Sequence, residues 1–223
     1  MMDMATKANG VQASRAMSTG YVQYGCGLSA PEGWLNFDAS PTLRVQRLPL
    51  AGLLRVPGGP VFPANVRYGD IVKGLPVEAG SCRAVYCSHV LEHLSLNDFR
   101  AALANTRAVL RVGGIFRLVV PDLRAAAQRY VADPSDTAAS RFMTETFLGV
   151  AERPRGMGGF LRSWLGNSHH LWMWDYPSLS RELATAGFKD IRPARMGDSG
   201  EPMFAAVEEA SRWVEAVGIH CAA

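Results

Sequence analysis

His89-x-x-Glu92-His93 gathers two imidazoles and a carboxylate within five residues. On a continuous helix, His89 and His93 would lie one turn apart and could share a zinc ion, with Glu92 as a base for metal-assisted hydrolysis. The flanks argue against that reading. Residues 82–88, "CRAVYCS", have the composition of a strand, and Ser95 suits the cap of a new helix, so about one turn remains for the motif. A third ligand would have to be Glu145 or Glu152, and nothing marks either, so no metal is expected.

Three further positions could recognise a nucleoside. Gly25-Cys26-Gly27 follows the apolar run "YVQY", and glycines there let the backbone approach a ligand that a Cβ would block. Asp38 closes the next short apolar run, "LNFD", where a carboxylate can accept hydrogen bonds from ribose hydroxyls. Asp70-Ile71, at the end of a third run, could meet an adenine amino group with the acid and cover the ring with the aliphatic side chain. A plain glycine turn is the competing reading at each place.

These residues need a scaffold, and the chain patterns supply one. "YVQYG" and "GWLNFDAS" read as short strands. Prolines 41, 49, 57, 60 and 63 break up residues 41–68, leaving room for one helical segment. "SLNDFRAALANTRAVLRVGG" is the best helix, capped by Ser95 with Asp98 completing a capping box and stopped by Gly113-Gly114. Phe99, Leu103, Thr106 and Leu110 would share its buried face. "IFRLVVPD" is almost wholly apolar, as in a parallel strand covered on both faces. Strand, helix, glycine turn and strand make a βαβ unit, which implies a doubly wound α/β sheet.

Downstream, "DLRAAAQRYVAD" and "PSDTAASRFMTETFLGV" read as helices, the second with Pro134 at its first position. "ERPRGMGGFLRSWLGNS" is a glycine-rich insertion. "YPSLSRELATAGF" is a helix ended by Gly187, and "KDIRPAR" a strand. A helix near 203–212 and a terminal strand, "WVEAVGIHC", would finish the sheet as an antiparallel pair. The expected division is a disordered tail over 1–19 and a single domain over 20–223.

The bulk numbers fit one globular domain. The chain has 223 residues, 48% hydrophobic and 19% charged, and a net charge of +3 with scattered basic residues, so nucleic acid is not the default partner. No stretch approaches a membrane span, and the start lacks the apolar region of a signal peptide. Four cysteines without a CxxC pair suit reduced, packed thiols and a cytoplasmic location. Cys82 and Cys87, five apart in one strand, should point to opposite faces.

With "CRAVYCSHVLEHLSLNDF" and "RAVLRVGGIFRLVVPDL" in this order, the sequence resembles the class I, Rossmann-like S-adenosylmethionine (SAM)-dependent methyltransferases, in particular the type-11 group. Gly25-Cys26-Gly27, Asp38 and Asp70-Ile71 fall in the family's order upstream. "HHLWMWDYPSLSRELATAGFKDI" resembles its late segment, and the likeness runs over roughly residues 20–195. Asp38 lies eleven residues beyond Gly27, against about 20 in the usual motif. Pro31 and Gly33 interrupt that gap, so the first helix must shrink to a turn, and its N-terminus is lost as an anion site. The shortened "GCG…GWLNFD" form resembles a subgroup often associated with polysaccharide biosynthesis.

The resemblance implies an α/β fold with a doubly wound, mostly parallel sheet, an antiparallel C-terminal strand and a reduced first helix. It implies SAM as cofactor, held by Tyr24, Gly25, Cys26, Gly27, Asp38, Asp70, Ile71 and Ser88. The acceptor would be a small molecule or saccharide. An alcohol acceptor needs a general base, for which an imidazole with a pKa near about 6.5 is suited. His89 is the first candidate and His170, or its neighbour His169, the second; structural hydrogen bonding competes for each. Trp172, Trp174 and Tyr176 could roof the acceptor pocket or pack in the core. Ser88-His89-Val90-Leu91 stands where enzymes that methylate base amino groups carry Asn/Asp-Pro-Pro-aromatic, so oxygen is the favoured target. Two alternatives remain. A nicotinamide oxidoreductase should show G-x-G-x-x-G, but Ala30 takes the third position. A catalytically silent module that binds a nucleoside or a partner would keep the fold without turnover.

Overall fold

The computed structural model describes residues 20–48, 60–150 and 169–223. The expected tail over 1–19, Glu152, the glycine-rich stretch 152–168 and part of the proline-broken stretch lie outside these residues.

Four parallel pairings build the first half of the sheet. Strand β1 (Tyr21–Tyr24) pairs with β2 (Leu35–Asp38) on one side and β4 (Cys82–Ser88) on the other. β3 (Val66–Tyr68) extends the β2 edge, and β5 (Leu110–Pro121) follows β4. β7 (Ala216–Ala222) runs antiparallel to both β5 and β6 (Lys189–Pro193). The resulting seven-stranded order is β3-β2-β1-β4-β5-β7-β6. This is the expected doubly wound sheet, and its order reverses between β1 and β4, the place where such sheets form a crevice.

Between β1 and β2 the chain makes turns and no helix. Side chains of the two strands hold this loop in place of helical hydrogen bonds. Gln23 Nε2 donates to the Ser29 carbonyl (2.9 Å), and buried Asn36 donates to the Pro31 (3.2 Å) and Trp34 (3.1 Å) carbonyls. Trp34 Nε1 in turn donates to the Met203 carbonyl at 3.1 Å, tying the loop to the C-terminal region.

Helix α1 (Pro41–Gln46) has its proline in the first turn, where no N–H is needed, and buries Leu43. Helix α2 (Leu96–Val109) starts as expected: Ser95 Oγ accepts from the Asp98 N–H at 3.3 Å and donates to the Asp98 carboxylate at 2.8 Å. It ends earlier than the glycine pair suggests. Leu110 already pairs with Cys82 in the sheet, and Gly113 instead bends β5, with φ +70°. Helix α3 (Leu123–Ala132) is capped by Asp122. Helix α4 (Ala138–Glu145) leaves Pro134 outside, because the Asp133 carboxylate accepts the Ser135 N–H (3.0 Å) in a turn of its own. Helix α5 (Tyr176–Thr185) carries a full capping box at Asp175 and Ser178.

Two expectations for the C-terminal region and the thiols are corrected. The single helix near 203–212 is a pair of short 3-10 turns, Pro202–Ala206 and Ala210–Trp213, because the backbone is extended at Glu209. Cys82 and Cys87 do not serve opposite faces: the β4–β5 register shifts between Cys82 and Ala84, and both cysteines join one core cluster with Val85. All four cysteines are buried and free.

The core lies mainly between the sheet and helices α2 and α5, around Phe37, Phe99, Leu103, Phe116, Leu118, Leu179 and Ile219. On the other face, wholly buried Arg117 stands in the middle of β5. It donates to Glu208, to Asp198 (2.8 Å) and to the Arg195 carbonyl, and its guanidinium lies 4.8 Å from the Trp213 ring centroid. That satisfied network lets a strand read as apolar carry a charge. Among the described residues, no helix is long and apolar enough to cross a membrane.

Candidate functional site

The chain turns sharply at the end of β1. Gly25 and Gly27 have φ of +63° and +55°, a region that residues with a Cβ avoid. A Cβ on Gly25 would lie 2.1 Å from Val90 Cγ2, so that glycine is required by close packing on the segment after β4. Nothing stands within 4 Å of a Cβ built on Gly27, which leaves its face open.

Asp38 ties this loop to the end of β2. Its Oδ2 accepts the Gly27 N–H at 2.9 Å, and its Oδ1 accepts the Ser40 N–H at 2.7 Å. Each carboxylate oxygen has about two acceptor directions, so both retain capacity for a ligand hydroxyl. Asp70 is arranged in the same way after β3: Oδ1 accepts the Val72 N–H (3.0 Å), and Oδ2 lies 3.2 Å from Lys73 Nζ. Buried Ile71 is fixed by Asn105 of α2, which donates to its carbonyl at 2.8 Å.

These residues surround a cleft of about 980 Å³ at the carboxyl ends of the parallel strands, lined by Tyr24, Gly25, Asp38, Asp70, Ile71 and His89. That size suits a nucleoside-bearing small molecule. The remaining expected cofactor residues, Cys26, Gly27 and Ser88, line a second cavity of about 410 Å³ with Tyr86 and Arg212. Tyr24 and Gly25 border both, so the glycine loop forms the partition between them. Tyr24 contributes to the rim only in part: its ring is buried, and its hydroxyl accepts from Thr106 at 3.2 Å.

His89 follows β4 with φ +54°, a strained conformation for a residue with a side chain. Its Nε2 lies 2.9 Å from the Arg212 carbonyl, which requires a proton on that nitrogen. Its Nδ1 is 3.4 Å from Glu92 Oε1. Burial pushes its pKa down, but the Glu92 carboxylate and the Arg212 carbonyl outweigh that and raise it. His170 Nε2 lies 3.9 Å from the same Glu92 oxygen, and burial lowers its pKa.

The H-x-x-E-H residues thus sit on a single 3-10 turn, Leu91–His93, and not on a continuous helix. His169 is exposed, and its carbonyl meets His93 Nδ1 at 3.0 Å. Of the three aromatics expected to roof a pocket, Trp174 is a core residue against Phe99, with ring centroids 4.3 Å apart. Trp172 is exposed, and Tyr176 packs against the core from the first turn of α5. Sequence reading missed the partnership of Glu92 with His170, residues 78 positions apart, because no local pattern announces a contact of that range.

A family model described as "Methyltransferase domain" matches residues 36–118. The matched span runs from β2 into β5 and includes Asp38, Asp70, Ile71, Ser88 and His89. No curated protein matches the sequence. Solved structures of similar fold include PigF with SAH, at 12% identity and TM-score 0.48, covering 91% of this chain and 50% of that one. A SAM-dependent methyltransferase from Archaeoglobus fulgidus is 13% identical with TM-score 0.46, covering 91% of this chain and 85% of that one. One from Mesorhizobium loti is 16% identical with TM-score 0.45, covering 91% and 90%. The chain therefore spans about half the length of PigF.

Proposed function

We propose that this chain is a SAM-dependent methyltransferase that acts on a hydroxyl oxygen of a small-molecule or saccharide acceptor, in the cytoplasm and in polysaccharide biosynthesis. The carrying observation is the cleft at the β1/β4 reversal, where Asp38, Asp70 and Ile71 face one space together with His89. The chemistry of this wall fits SAM: acids for ribose hydroxyls and an amino group, an aliphatic side chain for a ring, and a glycine turn for close approach. Held by these residues, SAM would supply an electrophilic methyl group for the acceptor oxygen, with its sulfur as the leaving group that keeps the electron pair of the broken bond.

The protein's own part is to orient and to hold a proton. The Arg212 carbonyl keeps the proton of neutral His89 on Nε2, so Nδ1, which faces Glu92, is the nitrogen that would take the acceptor's proton. Glu92, 3.4 Å away, stabilises the imidazolium that results. Oxygen is favoured over a base amino group by the Ser88-His89-Val90-Leu91 sequence after β4, which lacks the Asn/Asp-Pro-Pro-aromatic run.

Transfer of labelled methyl from SAM to a panel of hydroxylated acceptors, including glycans and nucleotide sugars, tests this reading. His89→Ala should lower turnover about 10²–10⁴-fold while SAM affinity is kept. Methylation confined to nitrogen acceptors would overturn the oxygen assignment.

A further inference from the structure

Glu92 is wholly buried, and neither carboxylate oxygen has a hydrogen-bond partner among the described residues. A carboxylate withdrawn from water in this way is costly unless a cation meets it. Its ionic neighbours among the described residues are imidazoles alone: His89 Nδ1 at 3.4 Å, His170 Nε2 at 3.9 Å and His93 Nε2 at 4.0 Å. We infer that Glu92, His93 and His170 form a binding site for a zinc-type divalent cation.

The three donor atoms all lie within 4.8 Å of one another. Tetrahedral zinc with bonds of about 2.0–2.1 Å spaces its ligands roughly 3.3 Å apart, so small side-chain rotations close the set. The surroundings orient the ligands. His93 Nδ1 lies 3.0 Å from the His169 carbonyl, which places the proton there and leaves the Nε2 lone pair for a metal. The Leu171 and Trp172 N–H groups both donate to the Glu92 carbonyl, at 2.7 and 3.1 Å, and pin the segment bearing His170 to the turn bearing Glu92. The His170 N–H donates to the Phe147 carbonyl at 3.1 Å, so a third segment braces the arrangement.

Two imidazoles and one carboxylate are the ligand count of zinc centres that keep a position open for substrate. His93 and His89 both line the large cleft, so the site borders the space assigned to the methyl donor. Resting on the methyl-transfer reading, the cation's role is to bind the acceptor hydroxyl and lower its pKa, with its proton passing to His89 Nδ1. The H-x-x-E-H pattern thus contributes Glu92 and His93 as ligands, and His89 stands beside them, held by Arg212.

The test uses the full chain freed of metal by chelation and titrated with Co²⁺, followed by visible absorption and calorimetry. One equivalent should bind, and His93→Asn or His170→Asn should each weaken binding by at least about 100-fold. Glu92→Gln should do the same; if that variant does not fold, His93→Asn, at the cleft rim, carries the test. Sub-stoichiometric binding, or binding unchanged in the His93→Asn/His170→Asn double variant, overturns the inference. SAM titration of the same metal-free protein separates the two readings. SAM binding without cobalt binding sinks the metal site alone, and cobalt binding without SAM binding leaves the site standing while removing its proposed role.

Discussion

Asp38 Oδ2 accepts the N–H of Gly27 at 2.9 Å, so the acid assigned to the ribose also holds the glycine loop in place. The two halves of the proposed nucleoside site are therefore coupled. Asp38→Ala should weaken SAM binding by more than tenfold and also destabilise the fold by about 1–3 kcal/mol, since two backbone donors lose a charged acceptor. Asp38→Asn, which keeps one carbonyl oxygen, should fall between wild type and alanine in both calorimetric titration and urea unfolding.

Gly25 faces two separate obstacles to a side chain: φ of +63° and a Cβ position 2.1 Å from Val90 Cγ2. Gly25→Ala should destabilise the protein by more than the ~1–2 kcal/mol of the backbone strain alone. Adding Val90→Ala should recover the steric part and leave the strain. A double-mutant cycle read by urea unfolding checks this; simple additivity of the two changes would show that Val90 is not the obstacle.

Arg117 is wholly buried among Glu208, Asp198 and Trp213. Removing one partner strands the other, so Arg117→Met should cost about 3–5 kcal/mol. The double change Arg117→Met with Glu208→Leu should cost less than the single one. Equilibrium unfolding of both variants measures the difference.

His220 of β7 stands opposite Arg117 and Arg192 in the sheet. Burial first, then those two guanidinium groups, push its pKa down from 6.5 to about 4. Between these values the unfolded chain binds a proton that the folded one does not, so stability falls as pH drops through this window. His170, also lowered, acts in the same sense, whereas His89, which is raised, acts in the opposite one. The melting temperature should drop between pH 7 and pH 4.5, and His220→Asn should flatten part of that slope.

What could be read from the sequence was local or periodic. β1, β2, the Ser95 cap and the βαβ unit follow from apolar spacing and turn residues, and so does the absence of a helix between Gly27 and Asp38. Where tertiary contacts outweighed local preference, the reading slipped. Leu110 keeps the helical spacing of Thr106 but is buried as a strand residue opposite Cys82. Cys82 shares a core cluster with Cys87 where simple alternation would part them, beside a shift in the β4–β5 register whose extra residues lie in β5. The order of Asp38, Asp70 and His89 gave the cleft; the division of the remaining cofactor residues into a second cavity, and the meeting of Glu92 with His170, needed the folded chain.

The central claim is that the cleft at the β1/β4 reversal binds SAM. Isothermal titration of the full chain with SAM, and with S-adenosylhomocysteine, tests it most directly. The account predicts saturable one-to-one binding of both, weakened by Asp70→Asn and more strongly by Asp38→Ala. Absence of binding to the wild-type protein, or binding that neither substitution alters, would contradict it.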